Sequence, residues 1–111
     1  MAQQRNVNIS EDGDFGTNSI KALQKYLNQN VSDIYITEDG VFGSNTQTAF
    51  QKYLKSQGCD INIDGDFGSN STRSLQKYLK LQGYNINIDG DFGYNSIKAL
   101  QKFLNKKRKM Y

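Results

Sequence analysis

The chain predicts a mainly α-helical protein built from four tandem loop-plus-helix units. Three observations carry that expectation. A five-residue motif recurs four times, as Asp12-Gly13-Asp14-Phe15-Gly16, Asp39-Gly40-Val41-Phe42-Gly43, Asp64-Gly65-Asp66-Phe67-Gly68 and Asp89-Gly90-Asp91-Phe92-Gly93. The copies are 27, 25 and 25 residues apart, a period that marks a repeat architecture. After each copy the apolar residues fall at helical spacing, and before each copy they alternate.

The alternating pairs are Val7/Ile9, Ile34/Ile36, Cys59/Ile61 and Tyr84/Ile86, which predict short extended segments with one face inward. They are too short for a sheet. Each leads into Asp-Gly, a turn dipeptide in which the Asp side chain bonds the backbone ahead and Gly accepts positive φ. Phe15, Phe42, Phe67 and Phe92 then anchor each loop on the core. On this reading Gly13, Gly40, Gly65 and Gly90, with those four Phe residues, are structural.

A helix opens after each motif. Ser19, Thr46, Ser71 and Ser96 fall in its first turn, where small hydroxyls suit the unpaired backbone donors of a helix start. One helix face carries Ile20, Leu23, Tyr26 and Leu27, and the next Ala49, Phe50, Tyr53 and Leu54. The third carries Thr72, Leu75, Tyr78 and Leu79, and the fourth Ile97, Leu100, Phe103 and Leu104. Gly58 and Gly83 stand where a helix end needs a left-handed residue. The units run 6–30, 31–57, 58–82 and 83–105, followed by a basic tail, 106–111. They suit either one continuous bundle over 6–105 or two lobes, 6–57 and 58–105.

Composition narrows the function classes. Only 36% of the 111 residues are hydrophobic, so a 25-residue unit could not bury a core alone and the units must stack. No run is apolar enough to span a bilayer, and the first residues lack the apolar core of a signal peptide. The single Cys59 allows no internal disulfide, and the absence of His removes the commonest general base and transition-metal ligand. The net charge of +3 is concentrated at Lys106-Lys107-Arg108-Lys109, which leaves the remainder at −1. Such a tail is ordinarily solvated and frayed. All eleven carboxylates lie outside the helices, whereas Lys25, Lys52, Lys77 and Lys102 share one helical position.

Two chemical readings of the loops compete with architecture. Asp60-x-Asn62-x-Asp64-Gly65 matches half of a calcium loop, but the position that should supply a bidentate carboxylate is Ser71. Asp64 and Asp66 could pair as glycosidase acids, yet catalysis needs such a pair once and this one is repeated on open turns. The expectation is no metal, no cofactor and no enzyme activity. Gln24, Gln51, Gln76 and Gln101 are read as satisfying the neighbouring loop's backbone.

The motif carries a family likeness. Asp39-Gly40-Val41-Phe42-Gly43-Ser44-Asn45-Thr46 with Ala49-Phe50-Gln51, and Leu75-Gln76-Lys77-Tyr78-Leu79 with Gln82-Gly83-Tyr84, resemble the bacterial peptidoglycan-binding domain appended to cell-wall hydrolases. The likeness recurs four times over roughly residues 7 to 105. It departs from the family where Thr17, Ser44, Ser69 and Tyr94 replace a common Pro, and four near-equal units exceed the usual single domain. The resemblance implies a small three-helix fold and a non-catalytic role in attaching an autolysin or phage endolysin to peptidoglycan. It would place the chain at the cell wall, or in the cytoplasm until lysis for a phage product.

Ligand contacts are then expected from polar loop positions and from aromatics peculiar to one unit: Tyr35, Asp66, Asn70, Tyr84, Asp91, Tyr94 and Asn95. Tyr35 lies between two inward Ile residues and should face out. Two other classes of function compete. One is a charge-driven binder of an anionic wall polymer or nucleic acid, the latter disfavoured by the interspersed acids. The other is a self-associating scaffold.

Overall fold

Four helices of nearly equal length follow one another: α1 (Thr17–Asn30), α2 (Ser44–Ser56), α3 (Ser69–Leu81) and α4 (Tyr94–Arg108). The structure, a computed structural model, describes residues 9–108. Val7 and the end of the basic run lie outside them. There is one helix per unit, four in all where the family likeness implied three, and no strand among the described residues. Each helix packs on the next, α1 on α2, α2 on α3 and α3 on α4, and α4 packs back on α1. The units therefore close into a ring. The radius of gyration of 12.9 Å is that of one body, close to the ~13 Å expected of a single domain this long.

Two rings of aromatic side chains fix the direction of every helix. Phe15, Phe42, Phe67 and Phe92, just ahead of the four helices, meet in a closed circuit with neighbouring centroids 5.1–6.0 Å apart. Tyr26, Tyr53, Tyr78 and Phe103, three helical turns on, form a second circuit at 5.2–5.7 Å. All four helix starts thus lie at one end of the molecule and all four later turns at the other. The helices are parallel, and the extended segments carry the chain back between them. Leu23, Leu27, Phe50, Leu54, Leu75, Leu79, Leu100 and Leu104, each at most 2% exposed, fill the barrel between the two rings. No 25-residue unit owns this core. It exists only when four stripes converge on one axis, which is how a chain with so few apolar residues forms one.

The helix ends divide between expectation and correction. Gly58 and Gly83 have φ of 94° and 103°, and Cys59 N–H and Tyr84 N–H reach back to Leu54 and Leu79 carbonyls, the six-residue closure of a left-handed cap. At the starts of α1, α2 and α3, however, no side-chain cap forms. The preceding residues are Gly16, Gly43 and Gly68 in α1, α2 and α3, without a side-chain bond to the helix. Ser19, Thr46, Ser71 and Ser96 lie deeper, 3–5% exposed, and serve a different partner. The basic run also differs from a frayed tail over its first three residues, because α4 continues through Arg108.

Candidate functional site

The joints between units explain most of the polar side chains. Gln76 is 1% exposed, and its Oε1 accepts from the N–H groups of Asp89 and Gly90 at 3.0 and 2.9 Å. Its Nε2 lies 2.8 Å from Asp89 Oδ1, 3.1 Å from Asp91 O and 2.8 Å from Ser96 Oγ. Gln24 and Gln51 hold the second and third loops in the same way. Gln101 holds the first loop, through Gly13 N–H, Asp12 Oδ1, Asp14 O and Ser19 Oγ. The hydroxyls expected to cap helices are instead inner partners of these glutamines.

The first Asp of each motif is likewise occupied. Asp64 Oδ1 accepts from Asp66 N–H at 3.0 Å and from Gln51 at 3.0 Å, and Asp12, Asp39 and Asp89 repeat the pattern. These backbone bonds first, and the glutamine amide second, hold all four carboxyls below their ordinary range. Among the described residues no three His, Cys, Asp or Glu side chains gather as a metal cage would require. Cys59 lies half-buried against the core, its thiol pushed up by burial.

Outside the joints, the extended segment and the outer face of the helix in the second, third and fourth units flank an open groove. The third unit's groove, of about 700 Å³, is lined by Asp60, Asn62, Asp66, Asn70, Arg73 and Lys77 among others. The fourth, of about 400 Å³, is lined by Tyr84, Asn85, Asn87, Tyr94, Asn95, Lys98 and Lys102 together with Ile86 and Ala99. The second, about 210 Å³, is formed by Thr37, Asp39, Val41, Ser44 and Asn45 with Ile36, Gly43 and Thr46. These are equivalent places on the repeat with different chemistry. The third mixes acids and cations, the fourth has cations, amides and phenols but no carboxylate, and the second is small and uncharged in its outer wall apart from Asp39.

Comparison with family models, with curated proteins and with solved structures returns no match.

The grooves gather most of the expected contact residues. Asp66 and Asn70 line the third, and Tyr84, Tyr94 and Asn95 line the fourth. Asp91 is exposed but outside the fourth groove's wall. Tyr35 is 79% exposed, facing out as its position between Ile34 and Ile36 requires, and stands apart from all three. Tyr94 does two things at once. Its ring abuts Gly13, where an added Cβ would fall 2.2 Å from Cδ1, so it helps seal α4 to the first loop. It is still 57% exposed, with Lys98 Nζ 3.2 Å from its hydroxyl.

Seven groove residues are not among the contacts expected from the sequence: Arg73, Asn85, Asn87 and Lys98, with Asn62, which enters there only through the calcium-loop pattern, and Lys77 and Lys102, which enter only as members of the lysine series. A usable signal existed. Asn85 and Asn87 alternate with the inward Tyr84 and Ile86, so period two alone puts both amides on the outer wall. Lys98 and Lys102 are four apart on one helix and therefore share a face.

Proposed function

We propose that this chain is a non-catalytic binding module for the bacterial cell wall, directing an attached or associated wall hydrolase such as an autolysin or phage endolysin to peptidoglycan. The observation that carries the reading is the repeated groove: polar, open and set at equivalent places around one rigid ring. It joins the four-fold Asp-Gly-x-Phe-Gly likeness to peptidoglycan-binding domains. The buried glutamines, the first Asp residues and the Phe residues are committed to holding units together. What differs from unit to unit is the groove wall, and that is where a ligand would be read.

Repetition suits a polymer. Grooves that each hold a saccharide or stem peptide weakly gain avidity when a strand engages more than one, with no strong individual contact. A mixed wall of Asp66, Asn70, Arg73 and Lys77 offers acceptors and donors to hydroxyl, amide and carboxylate groups alike. No His is present to pair with the loop acids, and the first Asp of each motif is tied up in its turn, which fits attachment without bond breaking.

Sedimentation with purified walls tests the proposal. The chain is expected to pellet with walls at low and at high salt, and with walls stripped of secondary polymers. A protein left wholly in the supernatant under all conditions would overturn it. Binding that collapses as salt rises, and vanishes on stripped walls, would support the charge-driven alternative.

A further inference from the structure

Among the grooves, the fourth is chemically set apart. Its wall holds two cations, Lys98 and Lys102, two phenols, Tyr84 and Tyr94, three amides, Asn85, Asn87 and Asn95, and no acid. Every other unit differs at these places. The third has Asp60 where the fourth has Asn85, and Ser69 where it has Tyr94; the second has Ser44 there and Thr48 in place of Lys98.

These side chains are also uncommitted. Asn85, Asn87 and Asn95 make no hydrogen bond within the described protein through their amides, and neither lysine is in an ion pair there. Lys98 is held only by the Tyr94 hydroxyl, with its ammonium 5.4 Å from the ring centroid. The carboxylates around it, Asp89, Asp91 and Glu11, lie outside this wall; Asp89 is bound to Gln76 and to Asp91 N–H, and Glu11 accepts from Asn105 while its charge reaches Tyr84. The volume, about 400 Å³, suits a ligand the size of one or two sugar rings.

We propose that the fourth unit's groove is a saccharide subsite selective for an acidic sugar, with Lys98 and Lys102 taking its carboxylate, the exposed face of Tyr94 its ring, and Asn85, Asn87 and Asn95 its hydroxyl or N-acetyl groups. An aromatic face covers the apolar side of a pyranose, and amides can both donate and accept around its rim. Two ammonium groups four residues apart on α4 prefer a carboxylate to a neutral group where the wall itself carries no acid. The third groove, with Asp60 and Asp66 facing the same kind of cations, would repel that carboxylate. Specificity thus arises from acids removed as well as cations present. This assignment deepens the wall-binding reading and rests on it for the biological source of the sugar.

The test uses the full chain and two disaccharides of equal size, di-N-acetylchitobiose and a hexuronic acid–N-acetylglucosamine disaccharide, followed by amide and side-chain NMR shifts. The acidic sugar is expected to shift Asn85, Asn95, Lys98 and the Tyr94 ring saturably, and the neutral one to bind about fivefold more weakly, as loss of exposed charge contacts implies. Acetate alone should give no saturable shift. Three variants carry the attribution: Lys98→Thr and Tyr94→Ser, which install residues found at the same places in other units, and Lys102→Gln. Each is expected to weaken the acidic sugar several-fold while thermal unfolding stays within a few degrees for the lysine variants. Shifts centred on Asn62 and Arg73, equal affinity for both sugars, or lysine variants that bind like the parent would overturn the proposal. A chain that sediments with walls but ignores the acidic sugar refutes the subsite and leaves the wall-binding reading standing. A chain that binds the sugar in this groove but not walls does the reverse.

Discussion

At the scale of single residues, the four buried glutamines are the most constrained side chains. Each sits at a joint where a helix meets the next loop, and each satisfies both backbone donors and backbone acceptors from a protected position. Truncating one leaves its partners behind. In Gln76→Leu the N–H groups of Asp89 and Gly90, the carbonyl of Asp91 and the Ser96 hydroxyl lose their common partner. An orphaned group costs roughly 1–3 kcal/mol when it is fully buried, and water reaches part of this loop, so we expect a loss of about 2–4 kcal/mol. Urea unfolding would read it as a lower midpoint with an unchanged slope. A loss under about half a kcal/mol, the ordinary scatter of surface substitutions, would show that the joint does not depend on the amide.

At the scale of the loop and helix, Asp12, Asp39, Asp64 and Asp89 make the fold acid-sensitive. Their folded-state pKa values lie below the ordinary one because the backbone two residues ahead and a glutamine amide favour the charged form. A depressed folded pKa means that the stabilisation is present in full above the unfolded value, ~3.9 for Asp, and is lost as pH falls through the folded values. Thermal unfolding followed from pH 7 downward should therefore be flat to about pH 5 and then fall with uptake of up to four protons per chain. The Asp→Asn variant at all four positions keeps the acceptor oxygen and should flatten the acid limb. A parent whose midpoint is the same at pH 2.5 and pH 7 would contradict this account.

The same elements show what was legible in the sequence. Turn, Phe anchor, helix face, Gly58 and Gly83 ends and the outward Tyr35 follow from local rules, since each depends on residues a few positions apart. The role of Ser19, Thr46, Ser71 and Ser96 did not, because a hydroxyl in a first turn serves a cap or a neighbouring side chain equally well. Only the glutamine arriving from the preceding unit decides between them. The grooves were half legible. Tyr94 stands out by being unlike its counterparts, whereas Lys98 and Lys102 look like ordinary solvated lysines until they are seen to share a groove whose lining carries no carboxylate.

At the scale of the whole molecule, closure of the ring is the feature that local reading left open, although a signal for it is present. Asn28 grips both the N–H and C=O of Ile36 and donates to Glu38, and Asn105 does the same to Ile9 and Glu11. The corresponding pairs at the two other joints are Lys55 with Ile63 and Lys80 with Ile88. Asn therefore goes with Glu across a joint, and Lys with Ile. That pairing matches the fourth helix to the first loop across 94 residues of chain. Since this joint repeats the glutamine bonding of the other three, none of the four is privileged as the place where the chain must be cut. A circular permutant that begins at Gly58, with residue 111 linked through a flexible spacer to residue 1 and a new end at Gln57, opens an exposed helix-end connection while keeping all four glutamine joints. Such sites tolerate new termini well. It is expected to fold to the same helical content and to unfold within about 2 kcal/mol of the parent, the difference reflecting loop-closure entropy. A cut placed inside a joint instead, between Asp64 and Gly65, should cost far more, because it separates the two N–H groups that Gln51 holds together. If the Gly58 permutant were unfolded while the Gly65 one remained intact, helix-end continuity would outrank the joints, and the account of the ring as four interchangeable contacts would fail.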